Sequence, residues 1–192
     1  MRCWGYGGAG QLGDGSGSDS NFPVNSSGLL SGVSKLTTGN DHACVLLTAG
    51  GLKCWGLNAT GQLGDGSTSD SNVPVTAMSG LSGVSSIALG ADNTFVVAGG
   101  AVYCVGSDGS GGLCNGLGVD ATSQVAMSSL SSGVTSLSAG NLGACAVVAG
   151  AAKCWGANDF WQLGAHATTS NATSPQSVIG MSSGVSKIVS AR

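Results

Sequence analysis

Residues 52–66 read Leu-Lys-Cys-Trp-Gly-Leu-Asn-Ala-Thr-Gly-Gln-Leu-Gly-Asp-Gly, and variants of this stretch recur along the chain. Its Cys-Trp-Gly start has counterparts at Cys3, Cys104 and Cys154, so consecutive cysteines of the motif lie 51, 50 and 50 residues apart. A period near 50 residues is typical of one supersecondary unit that is stacked repeatedly. The sequence therefore predicts a single repeat array over residues 1–192. Its units are expected at about 1–38, 39–89, 90–139 and 140–192.

Each unit contains about four short segments that favour β-strands. In the second unit the apolar runs 42–47 and 51–55 flank a glycine-containing turn, which is typical of a β-hairpin. A segment with a proline, 73–75, and a closing segment, 83–87, complete the unit. Four short strands are the content of one β-propeller blade. The prediction is an all-β propeller of about four blades, and the 35 glycines and the absence of glutamate agree with it.

The motif Trp-Gly-x-Asn-x-x-Gly-Gln-Leu-Gly at 55–64, followed by Pro74-Val75 and by Leu-Ser-Gly-Val at 81–84, carries a family resemblance. It resembles the repeat of the regulator of chromosome condensation family, in its bacterial, cysteine-bearing branch, over essentially the whole chain. The resemblance implies a propeller of four-stranded blades, commonly seven, that serves mostly for protein–protein recognition. The third unit departs from the pattern, because Val105 replaces the tryptophan and Gly-Gly-Leu-Cys at 111–114 replaces Gly-Gln-Leu-Gly.

The two ends of the chain do not match. The sequence contains four Cys-Trp-Gly-type strands but only three strands that would precede them in a hairpin. We therefore expect an incomplete blade at each end, with a strand edge left for another segment to cover.

Cysteine recurs at facing positions of two predicted hairpins. Cys44 lies opposite Cys54, and Cys145 lies opposite Cys154, at the Cα separation that a disulfide can span. Two disulfides are predicted, with buried reduced thiols as the alternative. Paired cysteines persist in oxidising surroundings, so the predicted location is extracellular or at the cell surface.

The other three cysteines are less regular. Cys104 faces Phe95, and we expect it either to pair with Cys114 or to stay free, with pairing favoured. Seven cysteines leave one over, and Cys3 is the expected free or intermolecular thiol.

Five aromatic residues are candidates for packing or contact. Trp4, Trp55 and Trp155 follow the motif cysteine and are predicted to pack in the core between blades. Phe160 and Trp161 occupy a turn instead, so they are candidate contact residues, with packing into a neighbouring blade as the alternative.

Charge and motif content exclude several functions. The net charge is −3 and the six Lys and Arg residues are scattered, which excludes a nucleic-acid partner. No apolar run approaches the roughly 20 residues of a membrane span. With two histidines, no Cys-x-x-Cys and no nucleophile motif, the sequence predicts no metal, no cofactor and no catalysis. Aspartates such as Asp14 and Asp65 favour turn chemistry over weak calcium binding, and the sequons at Asn25, Asn58 and Asn171 are glycosylation acceptors or chance occurrences.

These expectations favour a non-catalytic, extracellular structural or adhesive repeat module. It would associate with itself or dock a surface protein by strand or blade completion, giving a ring or a fibre. The alternative is a recognition propeller that binds a protein or glycan through its blade loops.

Overall fold

The computed structural model describes residues 1–113, 118–166 and 170–190. These residues form one two-stranded and three four-stranded antiparallel sheets, which we call blades 1 to 4 in chain order. Blade 1 contains β1 (Arg2–Gly5) and β2 (Ser20–Asn25). Blade 2 contains β3 (Val33–Thr38), β4 (His42–Leu47), β5 (Leu52–Gly56) and β6 (Ser71–Ala77). Blade 3 contains β7 (Val84–Leu89), β8 (Asn93–Ala98), β9 (Ala101–Gly106) and β10 (Ala121–Ala126), and blade 4 contains β11 (Val134–Ala139), β12 (Gly143–Val148), β13 (Ala151–Ala157) and β14 (Asn171–Ser177).

The all-β prediction is confirmed, and each four-stranded sheet is a meander of neighbouring strands. The first strands of consecutive blades contact one another, which places β3, β7 and β11 at the inner edge of the array. A side-chain contact between Lys35 and Ser86, with Nζ and Oγ 3.3 Å apart, joins two of these inner strands. Two single-turn 3-10 helices complete the helical structure of the described residues. Neither has the length or apolarity to cross a membrane.

The boundaries predicted for the units are displaced by one strand. The segment that was expected to close a unit is the first strand of the next blade, as shown by the pairing of Leu36 with Val45 and of Thr37 with Cys44. The reason is the short turn at 39–41, where the Gly39 N–H donates to the His42 carbonyl at 2.8 Å and returns the chain directly onto β3. The four-stranded blades therefore span 33–77, 84–126 and 134–177.

The last expected strand, 184–188, is not a strand in the structure. A strand requires a backbone partner, and no strand among the described residues pairs with this segment. The amides of Ile188, in this segment, and of Ser190, just after it, instead donate to the hydroxyl oxygens of Ser136 and Ser138 on β11, at 3.3 and 2.9 Å.

An apolar layer lies between each pair of consecutive blades. Between blades 3 and 4, Phe95 and Val97 pack against Leu137, Ala144 and Trp155. The rings of Phe95 and Trp155 meet edge to face with centroids 5.7 Å apart. This arrangement contributes about 1 kcal/mol to stability beyond the contribution of the surface area that the rings bury. The core is thus distributed between blades, as the repeat predicts.

The two predicted hairpin disulfides are present. Cys44 is bonded to Cys54 across β4 and β5, and Cys145 to Cys154 across β12 and β13. The bond in blade 2 is covered by the apolar layer shared with blade 3.

The predicted pair of Cys104 with Cys114 is not formed, because Cys104 carries a free thiol. Its buried Sγ donates to the carbonyls of Leu113 and Val125, at 3.3 and 3.5 Å, and burial raises the pKa of the thiol to about 12. Cys114 lies outside the described residues. Cys3 is also free, and its Sγ accepts a hydrogen bond from the Ser26 hydroxyl at 3.4 Å.

Candidate functional site at the blade junctions

The Gly-Gln-Leu-Gly loop after the third strand of a blade forms the contact with the next blade. We call residues 10–13, 61–64, 111–113 and 161–164 the junction loops. In the second loop, the Gly61 N–H donates to the Asn58 carbonyl and the Gly64 N–H to the Gly61 carbonyl, at 2.8 and 2.9 Å. The leucine of every junction loop is buried. Each loop is therefore anchored in its own blade, and the first three present their backbone to the next one.

Asn58, the asparagine of the Trp-Gly-x-Asn motif, holds the second junction loop in place. Its Oδ1 accepts the Leu63 N–H at 2.9 Å, and its Nδ2 donates to the carbonyls of Ser67 and Ser69 at 3.1 and 3.0 Å. Its own N–H donates to the Asp70 carboxylate at 2.7 Å. The Asn58 side chain is fully buried, so this sequon is closed to glycosylation in the folded chain.

The tryptophan of one blade is seated on the junction loop of the preceding blade. Trp55 Nε1 donates to the Gln11 carbonyl at 2.9 Å, and Trp155 Nε1 donates to the Gly112 carbonyl at 3.0 Å. Both indoles are fully buried. A Cβ on Gly13 would lie 2.8 Å from Trp55 Nε1, so the last glycine of the loop makes room for the indole.

The prediction that Trp4 packs between blades is wrong for the described residues, since 65% of its surface is exposed. The junction loop of the preceding blade explains the difference. Trp55 and Trp155 each have a junction loop on their preceding side, and no described junction loop lies against β1.

The first glycine of the junction loop contacts the outer strand of the next blade. A Cβ on Gly10 would lie 2.7 Å from Asn72 Cα, and a Cβ on Gly61 would lie 2.7 Å from Thr122 Cα. Gly111 repeats the contact with Thr173 of β14, at 3.0 Å from Cα. All three glycines have φ between +71° and +85°, which L side chains rarely adopt. Glycine is thus required both for the turn and for the approach of the next blade.

A Gln–Asp hydrogen bond accompanies this contact at two junctions. Gln11 Nε2 donates to Asp41 Oδ1 at 3.1 Å, and Gln62 Nε2 donates to Asp92 Oδ1 at 3.4 Å. At the third junction both partners are replaced, by Gly112 and Leu142. The sequence-based expectations do not include these pairs, although the joint loss of glutamine and aspartate is a signal that was available.

The junction loop of blade 4 has the same turn but a different surface. The Trp161 N–H donates to the Asn158 carbonyl at 3.0 Å, and the Gly164 N–H donates to the Trp161 carbonyl at 3.1 Å. Trp161 takes the place of the glycine and has φ +57°. Phe160 and Trp161 are 86% and 79% exposed, so the structure places both predicted contact residues on the surface.

Beside this loop lies an open cleft of about 920 Å³. One wall is the face of blade 4, including Ala144, Leu163 and the Cys145–Cys154 disulfide. The lining also includes Val185 and residues 187–190, a segment that has no strand partner among the described residues. This cleft is the candidate functional site.

The polar residues noted in the sequence serve the fold. Asp14 and Asp65 accept the N–H of the residue two positions on, Ser16 and Ser67, at 3.0 and 2.9 Å, as in turns. The Ser16 N–H also lowers the pKa of Asp14. Among residues 1–113, 118–166 and 170–190, no group of three or more His, Cys or Asp side chains is placed to hold a metal ion.

His42 lies at the junction of blades 2 and 3. Its Nε2 donates to the Thr94 hydroxyl at 3.0 Å, and that hydroxyl donates to the Gln62 carbonyl at 2.7 Å. The imidazole is buried, which disfavours its charged form and lowers its pKa from 6.5 to about 4. The neutral ring therefore links the inner end of blade 2 to the junction loop that seats blade 3.

We predict a pH-dependent loss of stability from His42. His42 has a pKa of 6.5 in the unfolded chain and of about 4 in the folded chain, so the unfolded chain binds its proton at the higher pH. The free energy of unfolding is therefore unaffected by this group above pH 6.5 and declines as the pH falls towards 4. Urea unfolding at several pH values should show a decline on the order of 2–3 kcal/mol that is absent from His42→Gln. The exposed His166→Gln variant is the control, and an equal decline in wild type and His42→Gln would contradict the assignment.

We predict that Gly61→Ala destabilises the chain more than Gly80→Ala. Both glycines have a left-handed φ, +85° and +90°, but a Cβ at Gly80 meets nothing within 4 Å. Alanine in the left-handed conformation destabilises both variants by a similar amount, so this cost cancels when they are compared. The remaining difference in stability measures the clash with Thr122. Denaturant unfolding should give Gly61→Ala about 2 kcal/mol less stability than Gly80→Ala. Equal stability of the two variants would show that blade 3 does not rest on this glycine.

Comparison with known proteins agrees with this geometry. The profile of the "Regulator of chromosome condensation (RCC1) repeat" matches residues 3–46 and 50–97, and a second profile of the same description matches 33–62. The ultraviolet-B receptor UVR8 of Arabidopsis thaliana is 34% identical over 100 residues, which cover 50% of this chain and 22% of UVR8.

Two solved structures have the same fold. Human WBSCR16 matches with a TM-score of 0.78 at 20% identity, over 91% of this chain and 46% of its own. Prp20p of Saccharomyces cerevisiae matches with a TM-score of 0.76 at 20% identity, over 92% of this chain and 45% of its own. This chain thus spans less than half the length of each of these relatives. Its blades are those of a β-propeller, and the chain contains repeats of the RCC1 family, which the profiles match over residues 3–97.

Proposed function

We propose that this chain is a non-catalytic protein-binding module of an extracellular or cell-surface compartment. Its partner adds an extended strand to the segment 185–190 and thereby fills the cleft beside blade 4. The observation that carries this proposal is the edge of that segment, which no described strand pairs. A partner strand added to an open edge is a recurring mode of peptide recognition.

The register of the added strand follows from blade 2. Residues 186–190 correspond to 34–38 of β3, which pair with β4 so that Leu36 faces Val45. Ile188 stands where Leu36 stands, so an added strand would place an apolar residue opposite Ile188. Main-chain hydrogen bonds would then supply the affinity, and alternate side chains would supply the specificity.

The wall of the cleft selects an apolar strand face. Leu163 is buried beside Cys154, and Val178 and Ile188 pack partly buried against them. Blade 3 covers the corresponding face of blade 2, where Cys44 and Cys54 lie inside the apolar layer. An occupant of the cleft would bury the equivalent surface of blade 4, which favours binding through removal of apolar area from water.

The proposed compartment and partner class have separate support. The two hairpin disulfides are compatible with an oxidising environment, where such bonds persist. Prp20p, which has the same fold, was crystallised in a study of its binding to Gsp1p and histones, and those partners are proteins. The fold is therefore compatible with a protein partner. The partners of Prp20p are not proposed as partners of this chain.

A second candidate is recognition through the blade loops, the use that the exposed rings of Phe160 and Trp161 favour. Large aromatic side chains on a loop are frequent anchors of protein interfaces. In this case the loop that carries Phe160 and Trp161 would bind the partner, and the cleft would stay open.

Strand addition can be tested with a peptide of known pairing. A peptide with the sequence of residues 39–51, carrying Cys44→Ser, is titrated into the chain while hydrogen exchange of 185–190 is followed by mass spectrometry. We expect saturable protection of these amides, since Ile188 would face the valine at peptide position 45. A scrambled peptide of the same composition should give no protection.

Two variants make the result specific. Ile188→Asp should abolish the protection, because it places a charge in the apolar wall, whereas Val119→Asp, at an exposed site on blade 3, should leave it unchanged. Equal protection by the scrambled peptide, or unchanged protection in Ile188→Asp, would contradict strand addition.

A further inference from the structure

We propose that the outer edge of blade 3 is a self-association surface, at which β10 pairs antiparallel with β10 of a second copy about a two-fold axis. The outer edge is the side of β10 that faces away from β9, since β10 is the last strand of its sheet. It lies in the middle of the chain, with blades 2 and 4 both described on either side. The inference is independent of the proposed function, which concerns a different part of the molecule.

The outer strands of the other blades share a proline at one position. In each of them the proline directly precedes the residue that pairs with the motif cysteine, and the prolines are Pro23 before Val24, Pro74 before Val75 and Pro175 before Gln176. Proline has no N–H, and natural sheets use it to keep an exposed edge from pairing with another chain. These blades therefore lack a donor at this point of their outer edge.

Blade 3 has a glutamine at the same position. Val125 pairs with Cys104, so Gln124 corresponds to Pro74. Because proline serves at this position in the other blades, a blade needs no hydrogen-bond donor there, and the N–H of Gln124 is left for a partner outside the sheet. The strand Ala121–Ala126 also contains no charged residue. Blade 3 thus has neither the proline nor the charge that protects a sheet edge.

Ala126 provides the second donor of the outer edge. The N–H of the next residue, Met127, donates to the Val102 carbonyl at 3.0 Å, so the main chain of Met127 faces β9. Successive residues of a strand direct their main-chain groups to opposite sides, so those of Ala126 face away from β9. Ala126 is exposed. Gln124 and Ala126 therefore form a short unpaired ladder with the alternate spacing that an antiparallel partner requires.

A second copy fits this ladder in one register. The Gly66 N–H donates to the Thr122 carbonyl at 2.9 Å, so blade 2 already covers the start of the strand and the pairing is confined to 124–126. A two-fold axis beside Val125 places Gln124 of each copy opposite Ala126 of the other, so that each outward N–H meets a carbonyl. The Val125 side chains, partly buried in their own blades, then lie beside each other as a β-branched cross-strand pair.

The neutral edge favours an identical strand as its occupant. Like charges directly opposite each other destabilise a strand pair, and two copies of Ala121–Ala126 bring none together. Pairing of the same surface on both copies closes after two chains, so it gives a dimer and no fibre. The open edge is short, so the buried area falls below the roughly 1,200 Å² of stable interfaces, and we expect a weak dimer.

The Gln124 side chain offers a separate, structural role that the test must distinguish. Its Nε2 donates to the Ser79 carbonyl at 2.9 Å and so connects the outer strand of blade 3 to blade 2. Gln124→Ala removes this bond and keeps the main-chain N–H. Gln124→Pro removes both and restores the residue that the other three blades carry. The two variants therefore separate edge pairing from the contact between blades.

The test is the mass of the chain in solution, measured by sedimentation equilibrium up to about 1 mM, where a dimer with a dissociation constant of that order is half formed. All samples carry Cys3→Ser, so that this free thiol cannot form an intermolecular disulfide. We expect the parent and Gln124→Ala to rise from 18.4 kDa towards twice that mass, and Gln124→Pro to keep the monomer mass. An unchanged circular dichroism spectrum shows that the proline variant is folded.

Amide exchange, followed by NMR in the parent, locates the contact. The Ala126 N–H should exchange about twofold more slowly at 1 mM than in dilute solution, because half of the chains are paired there. Thr76 holds the equivalent position in blade 2, two residues after Pro74, and its exchange should not depend on concentration. This comparison needs no variant, so it decides the proposal even if Gln124→Pro fails to fold.

Three results would overturn self-association at this edge. The first is a parent chain that keeps the monomer mass at 1 mM. The second is association of a folded Gln124→Pro to the same degree as the parent, and the third is equal slowing of the Ala126 and Thr76 amides. Loss of association in Gln124→Ala would also overturn it, because the side-chain bond to Ser79 and not the main-chain edge would then be responsible.

Discussion

The contact between a junction loop and the following blade is the constraint on which this structure depends. At Gly10, Gly61 and Gly111 the loop approaches the outer strand of the next blade too closely for a side chain. At two of these junctions an indole of the next blade then donates to a carbonyl of the same loop. Because the described blades contact their neighbours through these junctions, stability accumulates junction by junction.

The junction loop of blade 4 keeps the turn of the other loops and changes the residues that the turn exposes. Its loop has the common turn, but Trp161 stands at the glycine position and, with Phe160, forms an exposed aromatic rim. Beside these two side chains lies an apolar cleft, lined in part by a segment that pairs with no strand among the described residues. Under the proposed function, an extended strand of a partner protein would occupy this cleft.

Much of the fold could be predicted from the sequence because the repeat supplies each signal several times. The hairpins, the two disulfides and the blade content all follow from the 50-residue period. The blade boundary cannot be placed from the sequence, because a strand has the same residue pattern whether it pairs with the strand before it or the strand after it. The short turn before His42 makes β3 pair with β4. The exposure of Trp4 could not be predicted from its motif, since burial of a tryptophan here depends on a loop of the preceding blade. The aromatic residues of the fourth junction loop stand out in the sequence, but the close approach of a junction loop to the next outer strand, at Gly10, Gly61 and Gly111, is visible only in three dimensions.

Hydrogen exchange of the four indole N–H groups, followed by NMR, tests this account most directly. The seating of one blade on the loop of another predicts slow exchange for Trp55 and Trp155, whose Nε1 atoms donate across a junction. It predicts fast exchange for Trp4 and Trp161, which are exposed. Protection of Trp4 equal to that of Trp55, or one common rate for all four indoles, would contradict it.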